Sequence, residues 1–185
     1  GNYDVAIVCL GEIPSTERAG DIYTLDLPNE QKNIIKELSK KDIPIVLILV
    51  EGRPKIIRDI EPLCDAVIQT YLPGDHGAEA LIDILLGNIN PSGKLPYTYP
   101  KYNGVIMNYD YKQSETINGN NWKNDFYEAQ WDFGFGLSYT NFEYSNLSVD
   151  KEVISSSDEL IVSIDIENIG KLKGKEVIQL YLHDH

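Results

Sequence analysis

Two glutamates, an arginine and an aspartate crowd one short stretch, Gly11-Glu12-Ile13-Pro14-Ser15-Thr16-Glu17-Arg18-Ala19-Gly20-Asp21. The stretch follows directly on Val5-Ala6-Ile7-Val8-Cys9-Leu10, an apolar run that reads as a buried strand. Acidic side chains therefore stand where a strand hands over to a loop, the edge of an open α/β sheet at which ligands bind. The chemistry available there is proton transfer by a carboxyl group. A general acid needs its pKa raised, whereas an adjacent cation lowers it. Glu17, with Arg18 beside it, thus suits that role only if the Arg18 guanidinium points away. The competing reading is a solvated acidic loop.

The elements that must carry this loop are legible in the apolar pattern. Val5 to Leu10, Ile45 to Val50 and Ala66 to Thr70 are continuous runs rich in β-branched residues, which predicts strands buried on both faces of a parallel sheet. Helical periodicity lies between and after them. Asn29 to Lys41 puts Ile34, Ile35 and Leu38 on one stripe, and Asp75 to Leu86 puts Ala78, Leu81, Ile82 and Leu85 at i, i+3, i+4 and i+7. Asp75 is the expected N-cap of the second helix and Gly87 its stop. Pro54 to Pro62 has room for a short helix carrying Ile56, Ile57 and Ile60. The alternation predicts a doubly wound α/β fold with right-handed crossovers.

After Gly87 the character changes. Asn90-Pro91-Ser92-Gly93-Lys94-Leu95-Pro96 is dense in turn residues, and the stretch to about Gln130 is rich in Tyr, Asn and Gly without periodicity, which predicts a functional or covering loop. Trp131 to Thr140 alternates aromatics with glycines, a pattern of tight backbone packing. Beyond it, Leu160, Val162, Ile164 and Ile166 alternate with polar neighbours, and Glu176 to Leu182 repeats the pattern. An all-β module is expected to begin there and to stay unfinished at His185.

The 16 basic and 29 acidic residues give a net charge of −13, which argues against nucleic acid and anionic membrane surfaces as partners but leaves a neutral sugar unopposed. Cys9 and Cys64 sit in apolar surroundings and are expected as small buried hydrophobes rather than a disulfide. No apolar run approaches the roughly 20 residues of a membrane span. There is no initiator Met, and Gly1 leads at once into a core strand, so the sequence reads as a piece of something longer with any address segment elsewhere. His76 is a surface histidine, and His183 and His185 lack metal-ligand spacing. Pro73-Gly74-Asp75 opens a helix without a phosphate-binding fingerprint. No metal or cofactor is implied.

Together, Gly11-Glu12 to Gly20-Asp21, Leu72-Pro73-Gly74-Asp75, Asn90-Pro91-Ser92-Gly93-Lys94-Leu95-Pro96 and Phe133-Gly134-Phe135-Gly136-Leu137-Ser138-Tyr139-Thr140 resemble glycoside hydrolase family 3, the β-glucosidase and β-xylosidase family, in string, order and spacing. The resemblance covers essentially the whole chain. It implies a mostly parallel α/β sandwich domain over residues 1–142. An incomplete fibronectin type III-like β-sandwich module would follow over 143–185.

By the same resemblance, a (β/α)8-like domain of the same polypeptide precedes this one and carries the aspartate nucleophile. This domain supplies the acid/base glutamate of a retaining exo-β-glycosidase acting on β-linked oligosaccharides. Retaining glycosidases place two such carboxyls about 5–5.5 Å apart. The loop length maps the acid/base onto Glu17; in other subgroups the match of Glu12 takes that role, and the alternative stays open. Asp21 is expected to order the loop, and Trp122 is a candidate sugar-stacking residue. The isolated chain is expected to be inactive, and the family implies a periplasmic or secreted location. The rival function is a non-catalytic domain that covers or completes a partner's active site.

Overall fold

The computed structural model of the chain describes residues 3–110 and 128–182. Strands β1 (Ala6–Gly11), β2 (Ile45–Val50) and β3 (Ala66–Tyr71) form one parallel sheet in the order β1-β2-β3. Its register pairs Ala6 with Ile45 and Gly11 with Val50, then Val46 with Ala66, with an irregularity where Val50 meets Tyr71. All three strands therefore end side by side at one edge.

Helix α1 (Asn29–Leu38) crosses from β1 to β2. It starts after Pro28, carries Glu30 in its first turn where the helix dipole favours an anion, and ends where the Ser39 N–H bonds to the Ile35 carbonyl. Ile35 is completely buried with Val8, Leu10, Leu27, Ile45, Leu47, Leu49, Ile57 and Ile60 in a core closed by Leu95 and Tyr99. Helix α2 (Gly77–Leu85) follows β3, and Gly87, at φ 74°, ends it. Because α2 begins at Gly77, the residue flanking it is His76, not Asp75; the tight turn at Gly74, φ 65°, delays helical geometry past the expected cap.

The expectation of strands buried on both faces holds only for β2. In β1 the alternate residues Ile7 and Cys9 are exposed, so Cys9 is not the buried hydrophobe expected. A continuous apolar run fixes what a strand could bury, whereas neighbours fix what it does bury. Among the described residues nothing packs over that face of β1. Cys64 is half-buried, and its thiol, donating to the Ile60 carbonyl at 3.3 Å, is pushed up by burial to about 11.

Pro54 to Pro62 forms no α-helix. Ile56 makes an isolated bridge with Asp26, and a single 3-10 turn, Glu61–Leu63, follows. Its three isoleucines are buried, but by a chain that crosses the core edge rather than by a helix face. The predicted long loop is anchored at both ends by a two-stranded antiparallel ladder, β4 (Tyr99–Pro100) with β5 (Ala129–Trp131). No helix among the described residues is long and apolar enough to cross a membrane.

The chain divides into two compact units, Gly1–Leu81 with Leu95–Phe135, and Ile82–Lys94 with Gly136–His185. The second is built on an antiparallel pair, β6 (Phe142–Val149) and β7 (Val162–Asn168), whose register runs from Phe142–Asn168 to Val149–Val162. Two of the strings noted above meet here. Asn90 Oδ1 accepts from the Ser138 hydroxyl at 3.1 Å and the Tyr139 N–H at 2.8 Å, and Lys94 Nζ donates to the Gly136 carbonyl at 2.6 Å. A side chain on Gly136 would strike the Gly93 carbonyl, which is why glycine stands there. Glu176 to Leu182 joins no ladder among the described residues; alternation sets which side chains share a face, but a strand also needs a partner.

Candidate active site

Three loops leave the common sheet edge: Glu12 to Asp21 after β1, Glu51 to Lys55 after β2, and Leu72 to Asp75 after β3. They meet at Gly52, where a Cβ would lie 3.6 Å from Leu72 Cδ1 and 4.0 Å from Glu12 Oε1. The end of β1 is fixed twice. A side chain on Gly11 would collide with the Val50 carbonyl, so β1 and β2 approach more closely than any other residue allows. Gln31, in the first turn of α1, brackets Gly11 with its amide, accepting from the N–H and donating to the carbonyl, both at 2.9 Å.

Glu12 is the hub of the site. Its Oε1 accepts from the Arg53 backbone N–H at 3.2 Å and from Arg53 Nε at 3.1 Å. Its Oε2 accepts from Arg53 Nη2 at 2.9 Å and pairs with Lys55 Nζ at 2.8 Å. Partial burial alone would raise this carboxyl. Hydrogen bonds from Arg53 and Lys55, with their two positive charges, outweigh that and bring it down to about 2. Glu12 is thus a permanent anion at neutral pH. Arg53, itself held more firmly protonated by Glu12, also donates through Nη1 to the Gly20 carbonyl, which ties the far end of the acidic loop to its start.

Glu17 lies between those two anchors, at the head of the 3-10 turn Glu17–Gly20. Its side chain is exposed, and its backbone sits at φ 54°, the left-handed region that a glutamate enters at a cost of about 1 kcal/mol or more. No ion pair joins it to Arg18 among the described residues. The Asp21 N–H bonds to the Arg18 carbonyl at 3.2 Å and closes the turn, and its negative charge adds to the field on Arg53. His76 is exposed, 3.5 Å from Glu79 on the surface of α2. Trp122 lies outside the described residues. No group of three or more His, Cys, Asp or Glu among the described residues could hold a metal.

Reading the sequence for acidic residues after the first strand missed the loop after the second. Glu51-Gly52-Arg53-Pro54-Lys55 occupies the same edge, and its density of charge immediately after Ile45 to Val50 was the available signal. Glu51 is fully buried there, and burial raises its carboxyl pKa, only partly offset by its contacts with the Tyr99 hydroxyl, the Lys55 N–H and Gln69.

Residues 1–139 match the profile of the Glycosyl hydrolase family 3 C-terminal domain. The chain is 38% identical over 193 residues to the lysosomal beta glucosidase of Dictyostelium discoideum, which covers 98% of the chain and 22% of the relative. It is 31% identical over 192 residues to the periplasmic beta-glucosidase of Salmonella typhimurium, covering 98% of the chain and 25% of the relative. A solved structure of beta-glucosidase from Listeria innocua superposes with a TM-score of 0.81 at 29% identity, over 91% of the chain and 25% of that structure. The chain therefore spans about a quarter of these relatives' length. With the matched residues running from the strand before Glu12 through the Tyr139 turn, the chain belongs to glycoside hydrolase family 3 and carries its C-terminal domain.

Proposed function

We propose that this chain is the portion of a retaining exo-β-glycosidase that presents the acid/base carboxyl, Glu17, to an aspartate nucleophile on a preceding (β/α)8-like domain of the same polypeptide. The observation that carries this reading is the opposite state of the two glutamates. Glu12 is clamped by Arg53 and Lys55 and keeps no proton to give at neutral pH. Glu17 is held on an exposed turn whose two ends are anchored. A general acid must be protonated before it acts, and enclosing a carboxyl beneath a second domain favours its protonated form. In the first step Glu17 would protonate the glycosidic oxygen as the C1–O bond breaks and the nucleophile bonds to C1. In the second it would take a proton from the water that displaces the nucleophile.

The substrate class is a β-linked oligosaccharide, in keeping with the net charge of −13, which repels polyanions but not neutral sugars. A fibronectin type III-like module over 143–185 is part of the proposal; the antiparallel pair β6–β7 with its alternating side chains supports an all-β unit there, while β6 begins at Phe142 and the second compact unit resumes at Gly136. A periplasmic or secreted location is likewise proposed, with one relative named periplasmic and another lysosomal.

The test uses the full-length protein. Glu17→Ala should lose most kcat/KM toward glycosides with poor leaving groups. With activated aryl glycosides azide should restore turnover by attacking the glycosyl-enzyme, releasing the aspartate and giving a glycosyl azide. The same behaviour in Glu12→Ala would move the role to Glu12. Neither variant behaving so would leave a non-catalytic covering domain.

A further inference from the structure

Beneath the Glu12 clamp lies a second carboxyl that the proposed reaction does not use. Glu51 is the first residue after β2 and is completely buried, as is Tyr99. Its Oε1 lies 2.9 Å from the Tyr99 hydroxyl, 3.2 Å from the Lys55 N–H donor and 3.2 Å from Gln69 Nε2. Its Oε2 is buried without a hydrogen-bond partner among the described residues. The Tyr99 hydroxyl is also 2.8 Å from the Lys55 carbonyl oxygen, and Gln69 Nε2 donates on to Tyr97 Oη at 3.3 Å.

The protons in this network can be counted. Tyr99 has one hydroxyl proton and two contacts of hydrogen-bond length, and the Lys55 carbonyl can only accept. One proton cannot serve both contacts fully, and a proton on Glu51 lets each be a full hydrogen bond, Tyr99 donating to the Lys55 carbonyl and Glu51 to Tyr99. A carboxylate with one buried oxygen unpartnered would be costly to leave there, and a neutral acid much less so. The rise in its pKa on burial agrees.

We propose that Glu51 is a positioning residue: as a neutral acid joined to Tyr99 and to the backbone N–H of Lys55, it fixes the Gly52–Lys55 turn so that Arg53 and Lys55 meet Glu12 and hold the Glu17 loop in place. The chain of contacts is continuous. Glu51 and Tyr99 hold both the N–H and the carbonyl of Lys55, the Lys55 ammonium reaches Glu12, and Arg53 reaches both Glu12 and the Gly20 carbonyl. Glu51 touches no substrate in this account and acts only through those residues. The proposal rests on Glu17 being the acid/base.

The experiment compares kcat/KM of the full-length enzyme on a 2,4-dinitrophenyl β-glycoside, whose leaving group needs no acid, and on an aryl β-glycoside with a poor leaving group. Misplacing an acid by an ångström costs roughly 10–100-fold. Glu51→Ala should show a loss of about that size on the poor leaving group only, and Glu51→Gln, which is neutral, nearly isosteric and keeps an oxygen for the Lys55 N–H, should recover part of it. Adding Glu51→Ala to Glu17→Ala should cost nothing further. Equal losses on both glycosides, no recovery in Glu51→Gln, or a further loss in the double variant would overturn the proposal. Should Glu51→Ala not fold, Glu51→Asp replaces it: a loss on the poor leaving group in Asp but not in Gln supports the proposal, and equal behaviour overturns it. Azide rescue of Glu17→Ala is measured alongside. Without rescue, the Glu17 reading and this one fall together; with rescue and an unselective Glu51→Ala, only the role of Glu51 falls.

Discussion

Arg53 grips Glu12 through both carboxylate oxygens, Nε to Oε1 at 3.1 Å and Nη2 to Oε2 at 2.9 Å, and its third nitrogen reaches the Gly20 carbonyl. The planar fork makes all three contacts at once, which a lysine ammonium cannot do. Arg53→Lys should therefore keep the charge and lose the geometry. In the full-length enzyme we expect kcat/KM on poor leaving groups to fall about 10-fold or more, with little change on activated ones. Steady-state kinetics across a leaving-group series checks this, and a uniform fall would mean that Arg53 only supports the fold.

Acid should loosen the same clamp. The Glu12 carboxyl is depressed from an ordinary 4.5 to about 2, so its contribution is complete above pH 4.5 and lost as pH falls toward 2. A depression of that size corresponds to roughly 3 kcal/mol, and nearer 2 once solvent screening of the partly exposed Arg53 is allowed for. Thermal midpoints of wild type and Glu12→Gln should differ most above pH 5 and converge near pH 2. A gap that stays constant across this range would contradict the assignment.

Glu51 should act with the opposite sign. Its folded value is raised, so from about pH 4.5 upward the unfolded chain releases a proton that the folded chain keeps, and stability declines as pH rises until Glu51 itself ionises. Glu51→Gln removes that group from the titration. Its thermal midpoint should gain on wild type as pH rises above about 5, measured in matched buffers.

Gly11→Ala tests the close approach of the first two strands. The added methyl would meet the backbone carbonyl of Val50, which cannot swing aside as a side chain can. We expect a loss of about 2 kcal/mol or more, read from the denaturant midpoint, from overpacking alone. Tyr99→Phe tests the network below it. Removing the hydroxyl leaves the Lys55 carbonyl short of a buried partner, at a cost of about 1–3 kcal/mol by the same measurement.

The sheet was legible because β2 is central. Ile45 to Val50 has a strand on either side and is buried or half-buried at every position, so its apolar run and its burial agree. Cys9 was misread for the converse reason: β1 has the composition of a buried strand, but one face is uncovered among the described residues, and covering is a property of the neighbours. The acidic loop could be picked out by its position after a strand. What separates Glu12 from Glu17 could not, because that difference is made by Arg53 and Lys55, some 40 positions away and brought beside Glu12 only by the parallel register. Glu51 was invisible for a related reason. A charged residue next to an arginine and a lysine reads as surface, and only the aromatic Tyr99 folding over it from a later segment makes it core.

The left-handed backbone at Glu17 has an evolutionary consequence. Glycine would relax φ 54° at once, so Glu17→Gly should leave the fold as stable or slightly more so, even as it removes the carboxyl. If Glu17 has the role proposed above, a lineage under pressure for thermal endurance alone has a one-codon route to a sturdier chain that lacks its acid/base. On the role proposed for Glu17, glutamate at this position marks a trade-off in which turnover, not endurance, sets the choice of side chain.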